Sequence, residues 1–331
     1  MSTSWHVDTV HSRPAEADLQ AVADLAGAAR TADGHPPFSD QTFVGLRGGD
    51  TDGRRVVTLL VRAHDDADAA GAAADGATSG LAGAAVLVAE EEGPPLLELV
   101  VAPVHRRRGV GSALLQAAAL PGMPRGVRTW SHGDHPAARV LAAAHRYAVV
   151  RELWRMSAPV AAVAPADAAA VAPPEGIRLR SFRRGDEAAL LDLNAAAFAH
   201  HPDQGSLSAT DLADLMAQDW FDADGLFLAE RDPEGSEGGL LGFHWTKIDP
   251  AAPHEGEVYV LGVDPAAQGL GLGRVLTAAG LDHLRRRGVD TITLYVDADN
   301  APAVRLYTGV GFGRADVDVM YAPAAAPAGR Q

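Results

Sequence analysis

The chain has 331 residues, of which 47% are hydrophobic, and a formal net charge of -15 at pH 7. This length can bury two ordinary hydrophobic cores, so we expect two domains of roughly 150 residues each. The acidic balance argues against a nucleic-acid-binding surface, although local basic clusters can still hold phosphate groups. The lack of cysteine excludes disulfides, thiolate metal sites and a cysteine nucleophile.

The amino-terminal residues lack a charged start followed by an apolar core, and no apolar run reaches the roughly 20 residues needed to cross a bilayer. We therefore expect a cytoplasmic protein with no membrane partner. No heptad pattern or apolar surface run calls for a partner chain, which predicts a monomer. The histidines are scattered, and His132, His135, His200 and His201 lie in loop-like segments without a convincing third ligand, so no metal site is predicted.

In the first half of the chain, an apolar strand over residues 99–101 precedes a proline, a glycine-rich turn and a helix rich in leucine and alanine. Residues 65–80 are dominated by Ala, Asp and Gly and predict a long hairpin loop between two strands. Residues 161–174 are almost wholly Ala, Val and Pro, a composition typical of a linker. These boundaries predict one domain over residues 1–160 and a second over residues 175–331.

The second half predicts strands followed by alternating strands and helices. The predicted elements are a strand at 176–182, a helix at 186–199 capped by Asp186, strands at 226–230, 240–248 and 256–263, a helix through Arg287, a strand at 291–296, a helix from about Pro302 and a last strand near Val317. The segments 226–230 and 240–248 are expected to pair in antiparallel fashion. This order indicates an α/β domain with a mixed sheet.

The strand, glycine turn and helix occur twice. The residues Leu99, Val101, Pro103, Gly109 and Gly111 recur at one constant offset as Leu261, Val263, Pro265, Gly271 and Gly273. Such a turn can direct backbone N–H groups, with the positive end of the helix dipole behind them, at a phosphate. The repeat therefore predicts one fold present in two copies.

The order of strand, glycine turn at 268–273, helix, strand, Asn300 to Tyr307 and then Gly309-Val-Gly-Phe312 resembles the GCN5-related N-acetyltransferases (GNAT). The resemblance implies two tandem GNAT domains, each a mixed, mostly antiparallel central sheet flanked by helices. It also implies that the strand backbone holds the pantetheine arm of acetyl-coenzyme A and the turn its pyrophosphate. The alternative is a dinucleotide-binding unit, in which the glycine loop would open the domain and an acidic residue would follow about 20 positions later.

Across both halves, the chain resembles the mycothiol synthases, a family of tandem acetyltransferases of actinobacteria. The matching segments are Asp33-Gly-His-Pro-Pro-Phe-Ser-Asp-Gln, Ala197-Phe-Ala-His-His-Pro-Asp-Gln-Gly, Leu241-Gly-Phe-His-Trp-Thr-Lys, Gly256-Glu-Val-Tyr-Val-Leu-Gly-Val-Asp-Pro-Ala-Ala-Gln and Leu294-Tyr-Val-Asp-Ala-Asp-Asn. The resemblance implies transfer of acetyl from acetyl-coenzyme A to the cysteinyl amine of a cysteine-glucosamine-inositol pseudodisaccharide, which yields mycothiol and coenzyme A.

Amide formation needs a base for the amine, polarisation of the thioester carbonyl and an acid for the departing thiolate. Glu257 lies just before the strand that is expected to hold the cofactor and can serve as the base, directly or through a water. The resemblance assigns the acid to Tyr307, and the backbone N–H of Val263 or its neighbour would polarise the carbonyl. The non-catalytic alternatives are a solvated carboxylate on a strand for Glu257 and an aromatic core residue for Tyr307.

The resemblance carries acceptor contacts onto Asp40, Asp203, Lys247, Glu257 and Tyr295. Acidic and basic groups suit an acceptor with a cationic amine and many hydroxyls. Asp40 and Asp203 have the alternative roles of helix cap and turn residue, and Lys247 that of a solvated lysine at a strand end.

The resemblance also carries cofactor contacts onto both copies of the turn and onto the last helix. In the first half they are Leu99, Val100, Val101, Arg107, Arg108, Gly109, Val110, Gly111 and Ser112. In the second half they are Leu261, Gly262, Val263, Gln268, Gly269, Leu270, Gly271, Leu272, Gly273, Arg274, Asn300, Ala301, Pro302, Ala303, Val304 and Arg305.

Two departures from the family pattern distinguish the halves. The second copy has Gly269-Leu270 where related proteins often carry two arginines, so its pyrophosphate site is expected to rely on backbone donors. The first copy keeps its arginines, but if His135 stands in for Asn300, the position of Tyr307 is taken by Ala142. We therefore predict that the first half binds cofactor without turnover and that the second half is catalytic.

Two other functions remain open from the sequence. One is a tandem acetyltransferase for another small amine, such as an aminoglycoside, a peptide amino terminus or a polyamine, although Lys247 disfavours purely polycationic acceptors. The other is a non-catalytic sensor of acyl-coenzyme A, which the retention of both Glu257 and Tyr307 disfavours.

Overall fold

The structure, a computed structural model, describes residues 5–51, 53–63, 80–91, 93–120, 122–123, 126–163, 172–199, 204–205, 207–232 and 239–324. The chain divides into two compact units, one formed by Met1–Leu153 with Asp316–Gln331 and the other by Trp154–Ala315. None of the helices in the described ranges combines the length and the apolar character that crossing a bilayer requires.

The first unit is a mixed sheet with helices on both faces. Its elements are β1 (Asp8–His11), α1 (Glu16–Asp33), α2 (Asp40–Gly48), β2 (Arg54–Arg62), β3 (Leu81–Glu90), β4 (Leu96–Val101), α3 (Val110–Ala118), β5 (Arg128–Ser131) and α4 (Pro136–Ala144). The strand β6 (Tyr147–Pro159) then runs from the first unit into the second. The strands β1 to β4 pair in antiparallel fashion, whereas β4 and β5 are parallel.

The second unit repeats this plan. Its elements are β7 (Ile177–Ser181), α5 (Glu187–Ala197), α6 (Ala209–Met216), β8 (Leu226–Arg231), β9 (Leu240–Ile248), β10 (Glu255–Val263), α7 (Leu272–Arg286), β11 (Thr291–Asp297) and α8 (Ala301–Gly309), and β12 (Gly313–Pro323) returns to the first unit. The strands β7 to β10 are antiparallel and β10 pairs with β11 in parallel. The predicted fold class, a mixed and mostly antiparallel sheet flanked by helices, is confirmed.

The observed division differs from the predicted boundaries at 160 and 175. The strand near Val317, which we assigned to the second domain, pairs with β5 of the first unit through the register Val319↔Ser131 to Tyr321↔Thr129. Conversely, the end of β6 from Trp154 belongs to the second unit, where β6 neighbours β11. Backbone pairing between strands far apart in sequence therefore sets these boundaries. Of the predicted linker, residues 164–171 lie outside the described residues, as do residues 64–79 of the predicted hairpin loop.

The helix α7 shows how the sequence fixes the packing around the second glycine turn. Its buried residues Leu272, Leu276 and Leu284 recur at helical spacing and contact the sheet. Burial lowers the pKa of His244 to about 4, so the imidazole is neutral near pH 7, and its Nδ1–H donates to the carbonyl of Leu276 at 2.7 Å. This bond ties α7 to β9, one of the strands that carries the candidate site.

Replacing Gly280 in α7 by alanine is expected to destabilise the fold by about 2 kcal/mol. A Cβ atom at this position would lie 2.1 Å from Cε1 of His244, whose ring is fully buried and held by its hydrogen bond. The matched control is Gly27→Ala in α1, where a Cβ atom meets nothing within 4 Å. That change is expected to stabilise by up to about 1 kcal/mol, because alanine is the better helix former. Urea denaturation compares the two variants, and equal midpoints would contradict this account.

Candidate active site

The parallel strands at the centre of each unit separate after a short paired segment. In the second unit β10 and β11 pair from Glu255↔Thr291 to Val258↔Leu294, and β10 then continues to Val263. A register shift between Val258 and Val260 marks a β-bulge at Tyr259. Past the bulge, one edge of β10 is paired with β9, and its other edge has no registered partner in β11. The backbone N–H and C=O groups along that edge can bond an extended ligand in the way that a sheet accepts an added strand.

The glycine turn leads from this open edge to the start of α7. Gly269 and Gly271 have φ angles of +85° and +82°, which glycine adopts without steric cost. Gly271 is the N-cap of α7 and supplies no side-chain cap, so the first backbone N–H groups of the helix remain available. Backbone donors in this arrangement can bind a phosphate group, and the pyrophosphate site stays a prediction of the sequence.

The first unit adopts the same turn geometry with different residues. Gly109 has φ of +87° and caps α3, and Arg107 has φ of +63°, at the position that matches Gly269. A left-handed conformation is unfavourable for arginine and free of strain for glycine. The Gly269 departure thus exchanges a charged side chain for an unstrained backbone.

Lys247 and Glu257 meet on the second unit's sheet. The two residues are direct register partners on β9 and β10, with 4.0 Å between Nζ and Oε2 and about a quarter of each side chain exposed, 25% and 26%. Burial raises the pKa of the Glu257 carboxyl, while the charge of Lys247 acts in the opposite direction. Glu257 is therefore a shielded carboxylate whose basicity exceeds that of an exposed glutamate.

Aromatic rings hold the Lys247 ammonium in place. Its Nζ lies 5.2 Å from the ring centroid of Trp220 and 5.6 Å from that of Tyr259, which are cation–π distances. The ring centroids of Trp220 and Tyr259 are 5.0 Å apart, and both rings contact that of the buried Trp245. Sequence reasoning missed Trp220 and Tyr259. The position of Tyr259, two residues after Glu257 on a strand, was a signal that it would share the same face.

Tyr307 belongs to α8 and its ring lies in the core of the second unit. It is 5% exposed, its ring packs edge-on against Phe312 at 5.9 Å, and burial raises the pKa of its phenol well above the ordinary value. Asn300 caps the helix by accepting a hydrogen bond from the N–H of Ala303 at 3.2 Å, and Pro302 lies in the first turn. The phenol therefore stays protonated near neutral pH, as a hydrogen-bond donor must.

Of the remaining predicted acceptor contacts, the structure describes Tyr295 fully, Asp40 only in its backbone, and Asp203 not at all. Tyr295 is 51% exposed on β11, and strand alternation from the register pair Glu257↔Thr293 puts it on the face that carries Glu257. The backbone of Asp40 begins α2, but its side chain is outside the described residues, as is all of Asp203. The structure thus brings Lys247 and Glu257 together and puts Tyr295 on their face.

The first unit contains a cavity of about 320 Å³ at its own glycine turn, the place that corresponds to the predicted cofactor site of the second unit. Its lining includes eight of the predicted cofactor contacts, namely Leu99, Val100, Val101, Arg107, Gly109, Val110, Gly111 and Ser112. Arg108 is not part of this lining, and its carbonyl accepts a hydrogen bond from the indole of Trp5 at 2.7 Å. The neighbouring Arg106, which we did not predict as a contact, lines the cavity and forms a bidentate pair with Asp33 at 2.7 Å.

A buried ion network crosses the first unit where its strands separate. His132 Nε2 lies 2.9 Å from Glu98 and its Nδ1 lies 3.3 Å from Asp318, which also accepts a hydrogen bond from the N–H of Gly133. Burial lowers the pKa of His132, but the hydrogen bonds to Asp318 and Glu98 outweigh it and raise the value to about 9. Sequence reasoning missed this network, since Asp318 is far from its partners along the chain.

The His132 network predicts a pH dependence of stability. A histidine whose pKa is about 9 in the folded state and 6.5 in the unfolded chain stabilises fully below pH 6.5, and this contribution is lost as pH rises through 9. Calorimetric Tm values between pH 6.5 and 9.5 should therefore fall more steeply for the wild type than for His132→Gln. The slope is the readout, because the variant also leaves Glu98 without its partner. Parallel slopes would contradict the assignment.

In the part of the chain that is described, no three His, Asp or Glu side chains are grouped so that they could hold a metal ion.

Comparison with known proteins identifies the fold and the family. Residues 190–312 match the model of the acetyltransferase (GNAT) family. A tandem GNAT protein from the clavulanic acid biosynthesis pathway superposes with a TM-score of 0.67 at 20% identity, covering 98% of this chain and 100% of that one. A GCN5-related N-acetyltransferase from Sphaerobacter thermophilus gives a TM-score of 0.65 at 22% identity, covering 96% and 97%. These two likenesses support the predicted tandem fold.

Closer relatives match over nearly the whole chain. The mycothiol acetyltransferase of Arthrobacter sp. (strain FB24) is 45% identical over 324 residues, which cover 97% of each chain. That of Thermobispora bispora is 48% identical over 317 residues, covering 94% of this chain and 98% of the relative. The resemblance stated from the sequence is confirmed, and the chain belongs to the family of mycothiol acetyltransferases.

Proposed function

We propose that the chain transfers acetyl from acetyl-coenzyme A to the cysteinyl amine of a cysteine-glucosamine-inositol pseudodisaccharide, giving mycothiol and coenzyme A. The observation that carries the proposal is the shielded Lys247–Glu257 pair on the paired strands β9 and β10, just before β10 and β11 separate, in a chain of this family. The same residues, with Tyr295, are proposed as acceptor contacts, and Asp40 and Asp203 remain predictions of the sequence.

The proposed proton transfers follow from the two buried groups. An α-amino group has a pKa of about 8, so a carboxylate with a raised pKa accepts its proton more readily than an ordinary glutamate does. The charge of Lys247 favours the ionised form of that carboxylate and so opposes the effect of burial. The amine nitrogen then bonds to the acetyl carbon as the carbon–sulfur bond breaks. Glu257 takes one proton from the amine, and Tyr307 donates one to the departing sulfur.

Acetyl-coenzyme A supplies the acetyl group as a thioester, and the chain's backbone is proposed to hold it. The open edge of β10, with the Val263 N–H, would bond the pantetheine arm and the carbonyl, and the turn at Gln268–Gly273 the pyrophosphate. The start of α8, from Asn300 to Arg305, would close over the adenosine and pantetheine side of the cofactor.

The first unit is proposed to bind the cofactor without turnover. Its helix α4 begins at a capping His135, whose Nδ1 accepts a hydrogen bond from the N–H of Ala137 at 3.1 Å, as Asn300 caps α8. The position seven residues on is Ala142, so the helix offers no phenol for the leaving thiolate. The monomeric state and the cytoplasmic location also stay predictions of the sequence.

Steady-state release of coenzyme A thiol tests the acceptor. The assay compares the pseudodisaccharide with cysteine, glucosamine and an aminoglycoside at the same concentration of acetyl-coenzyme A. A large preference in kcat/KM for the pseudodisaccharide is expected. Preferred turnover of another amine would overturn the acceptor assignment and keep the acetyltransferase. Binding of acetyl-coenzyme A without turnover of any amine would favour an acyl-coenzyme A sensor.

A further inference from the structure

The helices α4 and α8 hold equivalent places in the two units, and they differ at one buried position. Each spans nine residues after a capping side chain, His135 or Asn300. Ala142 and Tyr307 each lie seven residues after the cap, and each is 5% exposed. Where the second unit fills its core with a phenol ring, the first unit therefore presents a single methyl group.

That position opens onto the cavity of the first unit. Ala142 belongs to the lining of the 320 Å³ space, together with the apolar side chains of Leu115, Leu141 and Tyr147. The cavity also contains the turn that matches the cofactor turn of the second unit. Because Tyr307 is proposed to reach the thioester sulfur, the space beside Ala142 lies next to the acyl group of a cofactor bound in the first unit.

A second observation points to a ligand in the same place. Tyr321 lines the cavity from β12 and belongs to the buried cluster of Ala142. It is 4% exposed, and its hydroxyl has no hydrogen-bond partner among the described residues. A buried unpaired hydroxyl costs about 1–3 kcal/mol, which a bound group with an acceptor atom would recover.

The opposite side of the strands is closed to an amine acceptor. Glu98 is fully buried, and it joins β4 to His132 across the point where β4 and β5 separate. Glu98 also accepts hydrogen bonds from the N–H of Ser39 at 2.8 Å and from its hydroxyl at 3.2 Å. At the matching positions of the second unit stand Val260 and Asp297. The space beside Ala142 is therefore the part of this cavity that suits a longer acyl chain.

We propose that the first unit is a binding site for acyl-coenzyme A thioesters whose acyl group is longer than acetyl. The acyl group lies between Ala142 and Tyr321. The inference rests on the proposed function in one respect, since Tyr307 locates the sulfur. Each methylene buried against the apolar lining contributes about 0.8 kcal/mol, so two further methylenes are expected to tighten binding about tenfold.

Isothermal titration of the full chain with coenzyme A, acetyl-coenzyme A and butyryl-coenzyme A tests this site. The wild type should show one site that binds butyryl-coenzyme A about tenfold more tightly than acetyl-coenzyme A. Ala142→Phe should abolish that preference and retain the binding of coenzyme A. The matched control is Ala143→Phe, which places the same ring at an exposed position of α4 outside the lining. It should keep the preference.

Three outcomes overturn the proposal. They are equal affinities for the two thioesters at every site of the wild type, a preference that survives in Ala142→Phe, and loss of the preference in the Ala143→Phe control. If Ala142→Phe fails to fold, Ala142→Leu fills less space and should reduce the preference partially. These titrations require no acceptor, so a failed acetyltransferase assay and a failed chain-length preference are separate results.

Discussion

Replacing Glu257 by glutamine is expected to lower kcat/KM for acetyl transfer by about 10²- to 10⁴-fold, the range that general-base catalysis contributes. Glutamine keeps the size of the side chain and its place opposite Lys247 on β9, but it cannot accept the proton of the amine. The measurement is steady-state release of coenzyme A thiol with saturating acetyl-coenzyme A and varied acceptor.

The control for this change is Glu255→Gln. Glu255 lies two residues earlier on the same strand, and its carboxylate pairs with Arg155 at 2.6 Å rather than with Lys247. It should leave kcat/KM within a few-fold of the wild type. A Glu257→Gln enzyme as active as this control would remove the base from the mechanism.

The pH dependence of the rate provides an independent test of Glu257 as the base. A base must be deprotonated, and burial raises the pKa of Glu257, so its contribution to the rate falls away at a higher pH than that of an ordinary carboxylate. In Glu257→Gln this component of the acidic limb should vanish, and the limb due to protonation of the acceptor amine should remain.

Tyr307→Phe is expected to lower kcat about a hundredfold and to leave the KM for acetyl-coenzyme A nearly unchanged. The variant retains the ring that packs on Phe312, so the core and the melting temperature should be preserved. Only the hydroxyl that is proposed to donate to the departing sulfur is lost. Stopped-flow measurement of the thiol release rate under single-turnover conditions isolates this step.

A purely structural role for Tyr307 predicts the reverse pattern. Phe would then be harmless to kcat, whereas Tyr307→Leu would lower the melting temperature by creating a cavity in the core. Near-full activity of Tyr307→Phe would therefore contradict its assignment as the acid and reopen the question of which unit is catalytic.

The local parts of the site were predictable from sequence because their chemistry is local. Glycines at the positions that take positive φ, between a strand and a helix, indicate the turn at Gly269 and Gly271. The same holds for the start of α8, which Pro302 marks in the first turn of the helix. Such features depend on neighbours along the chain.

The features that sequence reasoning missed depend on how strands pair. Lys247 and Glu257 were both predicted as acceptor contacts, but the register that sets them opposite each other arises from the pairing of β9 with β10. The return of β12 to the first unit moved Asp318 and Tyr321 into a site that we had assigned to the first half alone. The network of Glu98, His132 and Asp318 has the same origin.

The most direct test of the central claim is the position of the acetyl group in the product. Mass spectrometric fragmentation and NMR of the product formed from acetyl-coenzyme A and the pseudodisaccharide are expected to show one acetyl group on the cysteinyl nitrogen, with a free thiol. The product should be lost in Glu257→Gln. An acetyl group on the sulfur or on another site of the acceptor, or undiminished product from Glu257→Gln, would contradict the account.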